Sequence, residues 1–305
     1  MTLPRTPNQQ QALGNRRGIG LAQAGGIIVA LTRSASTRLD FHFHSSRSFD
    51  AQFSIQNAYR WVVKHGFDAL VVTDHVYPYS ANPYRSGVAA RTHGTYRKSA
   101  SDAAKIVRQN DVPILVGMEL LLPENVTLDH TELLIFGTEL CEHISVNLKE
   151  VSKYNFRQFC YFLNTYRDKS AIVFCHPYAP NYLTFQVQAE FIRRKLIAFA
   201  PVLDAVEIGL RRGFNPHLEE IATVCRSHGL TMLANSDGHE LKSKFPGCSY
   251  LYQNYNIFDS PAPATEAELI RLIKQQMPAY FVIDQETYSL ADVCHSLRLP
   301  VDGPP

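Results

Sequence analysis

Short runs of Val, Ile and Leu, each leading into a small polar cluster, constrain this chain more than any other feature. Four of the runs are residues 69–72, 112–116, 171–174 and 230–233. The clusters are Asp40-Phe41-His42-Phe43-His44, Thr73-Asp74-His75, Gly117-Met118-Glu119, Cys175-His176-Pro177 and Ser236-Asp237-Gly238-His239. Short apolar runs separated by stretches of helical period read as parallel strands of a βα repeat. Histidines and carboxylates therefore gather at strand C-termini, where α/β folds place their chemistry.

With 305 residues and 45% hydrophobic content, the chain can build one large α/β domain. No Pro/Gly/Ser-rich linker interrupts residues 40–239, so a boundary there would split the clusters. The balance of 30 basic and 28 acidic residues, net +2, offers no electrostatic footprint for duplex nucleic acid, and small phosphorylated or short substrates are expected instead. The six cysteines are scattered without a CxxC pair. That pattern suits reduced thiols in the cytoplasm and argues against zinc held by thiolates.

Residues 1–36 differ in kind. Asn15-Arg16-Arg17 precedes a weakly apolar stretch, Gly18 to Thr32, interrupted by Gln23. Two readings stand: a flexible cytosolic extension, or a twin-arginine-like export signal. No stretch reaches the roughly 18 apolar residues of a membrane span. The sequence leaves the oligomeric state open.

Periodicity predicts strands at 39–44, 69–72, 112–119, 132–136, 171–176, 205–209, 230–234 and 279–283. It predicts helices at 55–65, 96–109, 155–167, 187–200 and 265–276. Another helix begins at Asn215-Pro216, an N-cap followed by proline, and ends at His228-Gly229. Val76 to Gly94, rich in Tyr, Pro and Gly, reads as a long loop over the site, with Tyr77, Tyr79 and Tyr84 as a candidate wall.

Alternation on a strand puts His42 and His44 on one face, where both can meet one cation, and likewise Asp237 and His239. So many ligand-type side chains suit adjacent cations sharing a carboxylate, and Glu119 is the natural bridge. His65 and His228, each beside a glycine at a helix end, read as structural.

The order Asp-x-His-x-His, Thr-Asp-His, Gly-x-Glu, His-Pro, Ser-Asp-x-His resembles the polymerase and histidinol phosphatase (PHP) superfamily of metal-dependent phosphoesterases, over roughly residues 38–285. The resemblance implies a distorted (β/α)7 barrel in a single domain, residues 37–285, with residues 286–305 as a tail. It also implies two or three divalent metals (Mn, Zn, Fe or Mg). His42, His44, Glu119 and Asp237 would surround one, and Glu119 would bridge to a second that His176 also holds. Asp50, His75 and His239 would hold the third.

One position departs from the family pattern. Where relatives place a histidine opening a glycine-terminated strand, this chain has Glu132-Leu133-Leu134-Ile135-Phe136-Gly137. Glu132, favoured by register, or His130 would complete the second metal, and a glutamate favours manganese, magnesium or iron(II). Asp40 and Asp74 are expected to orient ligand histidines. Arg47, Arg211 and Arg212 are candidate phosphate clamps, with Arg211 the one expected to act in catalysis.

The function implied is hydrolysis of a phosphomonoester or terminal phosphodiester by a metal-bridging hydroxide, with Glu119 and Asp237 central. The alternatives are hydrolysis of carbamate or carboxyl esters on the same metals, or a catalytically inactive binding module.

Overall fold

The computed structural model describes residues 36–78, 91–92, 94–106, 108, 111–123, 125–127, 131–177, 185–209, 214–215, 217–241 and 250–296. Residues 1–35, His130, Arg211, Arg212, Tyr79 and Tyr84, singled out above, lie outside them.

The fold is mixed α/β. Twelve strands lie among the described residues: β1 (Thr37–Leu39), β2 (Leu70–Val72), β3 (His75–Val76), β4 (Ile114–Val116), β5 (Met118–Leu121), β6 (Glu132–Phe136), β7 (Ala171–Phe174), β8 (Ala205–Glu207), β9 (Thr231–Leu233), β10 (Tyr255–Phe258), β11 (Tyr280–Ile283) and β12 (Glu286–Ser289). They form a six-stranded sheet in the order β3-β5-β6-β7-β8-β9, a four-stranded sheet β1-β10-β11-β12 and a pair β2-β4. The runs expected to be parallel do pair so: β2 with β4, and β8 with both β7 and β9. However, β6 runs antiparallel to β5 and β7, and β1 antiparallel to β10.

The sheets do not close into the expected barrel by continuous ladders. Residues 40–44 were expected to continue the first strand, yet side chains take their backbone donors. Phe41 N donates to Asn235 Oδ1 (3.1 Å), His42 N to Asp40 Oδ1 (3.2 Å) and Phe43 N to Thr73 Oγ1 (3.2 Å). A donor spent on a side chain cannot serve a ladder. What remains is Thr73 N donating to Phe43 O and, flanking Phe43, Gly238 N donating to His42 O and His44 N to Gly238 O.

The helices follow their local signals. In α1 (Ile55–His65), Ser54 accepts from Asn57 N at the start, Gly66 ends the helix at φ 66°, and Ile55, Ala58, Tyr59 and Val62 are buried. It is followed by α2 (Thr95–Lys105), α3 (Thr138–Val146) and α4 (Leu148–Val151). Capping boxes open α5 (Phe156–Asn164), through Asn155 and Gln158, and α8 (Glu266–Gln275), through Thr265 and Glu268. Between these two lie α6 (Phe185–Phe199) and α7 (Leu218–His228). The start expected at Asn215 is displaced, because Asn215 Oδ1 accepts from His217 N before the helix begins. The last helix is α9 (Leu290–Ser296).

Within residues 286–305, read as tail, residues 286–289 continue the sheet and residues 290–296 form α9. Asp284 and Gln285, at φ 49° and 69°, turn the chain so that β12 pairs antiparallel with β11. Two consecutive positive φ values make the tight hairpin turn that matches strand twist. The strand Glu-Thr-Tyr-Ser has no apolar run to announce it. No helix among the described residues is long and apolar enough to cross a membrane.

An inner core joins residues from all three sheets, including Leu39, Phe41, Val71, Leu115, Phe136, Val173, Cys175, Leu233 and Phe258. Phe41 sets its edge toward Phe136 (6.4 Å) and Phe258 (6.0 Å). Gly117, the hinge between β4 and β5, lets the backbone meet this core. A Cβ there would lie 2.6 Å from the Ile135 carbonyl oxygen and 2.6 Å from the Phe136 ring. Gly117→Ala should therefore cost roughly 1–3 kcal/mol of stability, measured by denaturant unfolding. An alanine variant as stable as the parent would show that β5 and β6 can part freely.

Candidate metal centre

The polar clusters that follow separate strands converge on one rim. His42 and His44 follow β1, His75 opens β3, Glu119 lies in β5, His176 follows β7, and Asp237 and His239 follow β9. Because β6 is antiparallel to its neighbours, Glu132 reaches the same rim from the start of its strand, not the end.

Glu119 is fully buried and is the common neighbour. His42 Nε2 lies 3.2 Å from its Oε1 and His176 Nε2 2.8 Å, while His75 Nδ1 lies 2.6 Å from its Oε2 and His44 Nε2 3.4 Å. Asp237 Oδ1 is 3.4 Å from His42 Nε2 and 3.2 Å from His44 Nε2. Asp50 Oδ2 sits 3.2 Å from His75 Nε2 and 3.4 Å from His239 Nε2. Glu132 Oε2 is 3.6 Å from His176 Nε2, and its Oε1 accepts from the Tyr77 hydroxyl at 2.9 Å.

Hydrogen bonds behind the cluster set two tautomers. The Glu207 carboxylate lies 2.9 Å from His42 Nδ1, so the proton sits on Nδ1 and Nε2 is directed at Glu119. Ser48 Oγ donates to Asp74 (2.9 Å), accepts from His75 N (3.0 Å), and has a remaining lone pair for His44 Nδ1 (3.2 Å). Asp74 thus orients His44 through Ser48. Asp40 instead accepts from the backbone of His42, Ser236 and Tyr252 and touches no histidine ring, which corrects the role expected for it. Its burial raises its pKa to about 6.

Electrostatics follow from burying so many carboxylates together. Burial opposes the charge on Glu119, but His42 and His75 beside it hold its pKa well below the usual range. Asp237 and Asp50 are lowered in the same way, against burial, by the neighbouring histidines. Burial and the neighbouring Glu207 and Glu119 charges pull His42 in opposite directions, and the carboxylates raise it well above the ordinary value. His176 rises, despite burial, to about 10 through its hydrogen bond to Glu119. His44, buried and beside His75 and His239, falls to about 3.

This arrangement fits divalent cations. Glu119 Oε2 and His75 Nδ1 are buried and 2.6 Å apart, yet neither makes a hydrogen bond of proper angle. His42 Nε2 and His44 Nε2 stand 3.0 Å apart, the separation expected for two ligands at about 2.1 Å from one ion and about a right angle apart. Ligand atoms cluster as His42/His44/Glu119/Asp237, His44/His75/His239, Glu119/Cys175/His176 and His75/Glu119/Glu132. Positive φ at His176 (25°) and Asp237 (50°) places strain of about 1 kcal/mol or more at each.

Arg47 Nε donates to Asp102 Oδ2 at 2.7 Å, so this arginine is engaged away from the cluster. His65 donates to the Trp61 carbonyl within its own helix end. Sequence reasoning missed Glu207 and Asn235, and it named Cys175 in a cluster without giving it a role. Glu207 and Asn235 each follow a short apolar run, the same signal that marked the other clusters, but without a neighbouring histidine to draw notice.

The PHP domain model matches residues 40–198, just over half of the chain. Among solved structures, Endonuclease Q in complex with a 27-mer duplex bearing an abasic lesion at its active site is similar at 17% identity and TM-score 0.51, covering 88% of this chain and 69% of that one. A protein described as a candidate metal-dependent phosphoesterase from Bifidobacterium adolescentis ATCC 15703 aligns at 14% identity and TM-score 0.42, covering 78% of this chain and 96% of that one. No curated protein matches the sequence. The exclusion of duplex nucleic acid drawn from net charge does not stand, since a protein of similar fold holds a duplex. A net charge of +2 sums the whole chain and says nothing of where its 30 basic residues lie. By its family match and its converging histidines and carboxylates, the chain belongs to the PHP domain family of metal-dependent hydrolases.

Proposed function

We propose that this chain hydrolyses a phosphomonoester or a terminal phosphodiester, using two or three divalent cations. The observation that carries this reading is Glu119, a buried carboxylate with nitrogens of four imidazoles within 3.4 Å. His42, His44, Glu119 and Asp237 would hold one cation. Glu119 and His176 would share in a second, completed by Glu132 or by His130, and Asp50, His75 and His239 would hold a third. The approach of Glu132 to His176 supports the glutamate. Such cations supply charge neutralisation at the non-bridging phosphoryl oxygens. The oxygen-rich donor set favours manganese, magnesium or iron(II), with zinc also compatible.

The protein's own part is orientation. Glu207 and Ser48 hold the Nδ1 protons of His42 and His44, leaving both Nε2 lone pairs directed inward. Tyr77 donates to Glu132 and fixes one of its oxygens. Arg211 is proposed to support phosphoryl charge. The same reading takes the three sheets as a distorted (β/α)7 barrel, supported by Phe43, which bonds on one side to Thr73 and bridges on the other to Gly238. Endonuclease Q brings nucleic acid among the substrates worth testing.

Purified protein should lose turnover in chelator and regain it best with manganese, across a panel of phosphomonoesters, nucleotides, oligonucleotides and carboxyl esters. Full turnover after verified metal removal would overturn the reading. Glu119→Gln and Asp237→Asn should each lower kcat at least about 100-fold at saturating metal with the fold intact by circular dichroism. Glu132→Ala should lower metal stoichiometry and turnover together, and His130→Ala much less; the reverse ranking would assign the position to His130.

Metal uptake should also be proton-coupled. Cations and protons compete for the same nitrogens, and the metal-free His176 keeps its proton up to about pH 10. Binding therefore expels protons, and metal affinity should rise as pH rises between about 6 and 8. A pH-independent affinity in calorimetric titrations would contradict this.

A further inference from the structure

We propose that Glu207 is a positioning residue that serves both halves of the metal centre at once, holding the His42 ring with one carboxylate oxygen and the His176 backbone with the other. The inference rests on reading the cluster as a metal centre. Glu207 ends β8 and is 2% exposed. Its Oε1 accepts from His42 Nδ1 at 2.9 Å and from Asn235 Nδ2 at 2.9 Å. Its Oε2 accepts the backbone N–H of His176 at 2.7 Å. With three donors on its two oxygens, Glu207 is occupied by the protein itself, and it belongs to none of the four groups whose ligand atoms converge among the described residues.

Each contact has a distinct consequence. A carboxylate can only accept, so Nδ1 of His42 must carry a proton, and Nε2, which faces Glu119 and Asp237, is the nitrogen left to bind a cation. His176 sits at φ 25°, a conformation a non-glycine residue holds only where its surroundings enforce it. The hydrogen bond to Glu207 enforces it, and the ring then reaches Glu119 at 2.8 Å. His42 belongs to the group with His44, Glu119 and Asp237, and His176 to the group with Glu119 and Cys175. Glu207 therefore ties the geometry of one to that of the other.

Glu207 is itself braced. Asn235 Oδ1 accepts from Phe41 N (3.1 Å) and from Asn256 Nδ2 (3.2 Å), and Asn256 Nδ2 also donates to the Leu39 and Ala234 carbonyls (3.2 and 2.8 Å). The chain Asn256–Asn235–Glu207 runs from β10 to the centre. Rigid support of this kind is what keeps first ligands in register.

The test is metal binding by the full chain. Manganese and, separately, zinc would be titrated into metal-free wild type, Glu207→Ala and Glu207→Gln, with stoichiometry by elemental analysis and unfolding of each metal-free form measured alongside. Glu207→Ala should weaken the two tightest equivalents together by about 10- to 100-fold each. Glu207→Gln keeps the volume but has one acceptor oxygen for donors on both sides, so it should weaken both by a smaller factor while its metal-free melting stays near wild type. If Glu207→Ala does not fold, Glu207→Gln alone decides. A folded variant binding both equivalents with wild-type affinity would overturn the proposal, and so would loss of one equivalent with the other untouched. Wild-type protein that takes up no divalent metal would overturn the metal reading itself, an outcome distinct from either.

Discussion

A single buried carboxylate organises this protein. Glu119 has no exposure to water, and burying a charge is costly unless partners surround it. Four histidines from three segments, two following β1, one opening β3 and one following β7, supply those partners. Each must therefore be delivered to within a few ångströms of one point, and β1, β3, β5 and β7 are placed accordingly. That convergence of ligand-type side chains on one buried carboxylate is the physical root of the metal reading.

Delivery has a cost in sheet regularity. Between Asp40 and His44 the backbone gives its donors to Asn235, Asp40 and Thr73, and pairing shrinks to the few links around Phe43. His176 and Asp237 add positive φ values. Regular pairing would hold these residues more cheaply, but it would direct the side chains by strand geometry alone. The side-chain hydrogen bonds fix individual rings instead, and Ser48, Asp74 and Glu207 act as the scaffold of the site while Phe41 and Phe136 fill the core below it.

The comparison with Endonuclease Q shows how little a summed charge says about partners. Recognition depends on where cations lie and on what the centre offers a phosphate, and both are properties of the folded surface. Family membership bounds the chemistry to the metal-dependent hydrolases of the PHP domain.

What was legible in the sequence is local. The strand Glu132–Phe136 and the helix Ile55–His65 have the bounds expected from their apolar pattern and caps, because capping and periodicity act over a few residues. His42, His44, His75, Glu119, His176, Asp237 and His239 were legible as a set through their order along the chain, and the fold brings them together. Strand direction at β6, the hairpin into β12 and the failure of residues 40–44 to form a ladder were decided by tertiary structure: β6 takes its direction from the β5 and β7 it lies between, residues 40–44 from distant partners such as Asn235, and the hairpin from backbone dihedrals that residue type alone does not dictate. Glu207 belongs to the same class. A glutamate closing a three-residue strand, with no histidine beside it, does not declare a role, and it acquires its meaning only when folding sets one oxygen on His42 and the other on His176.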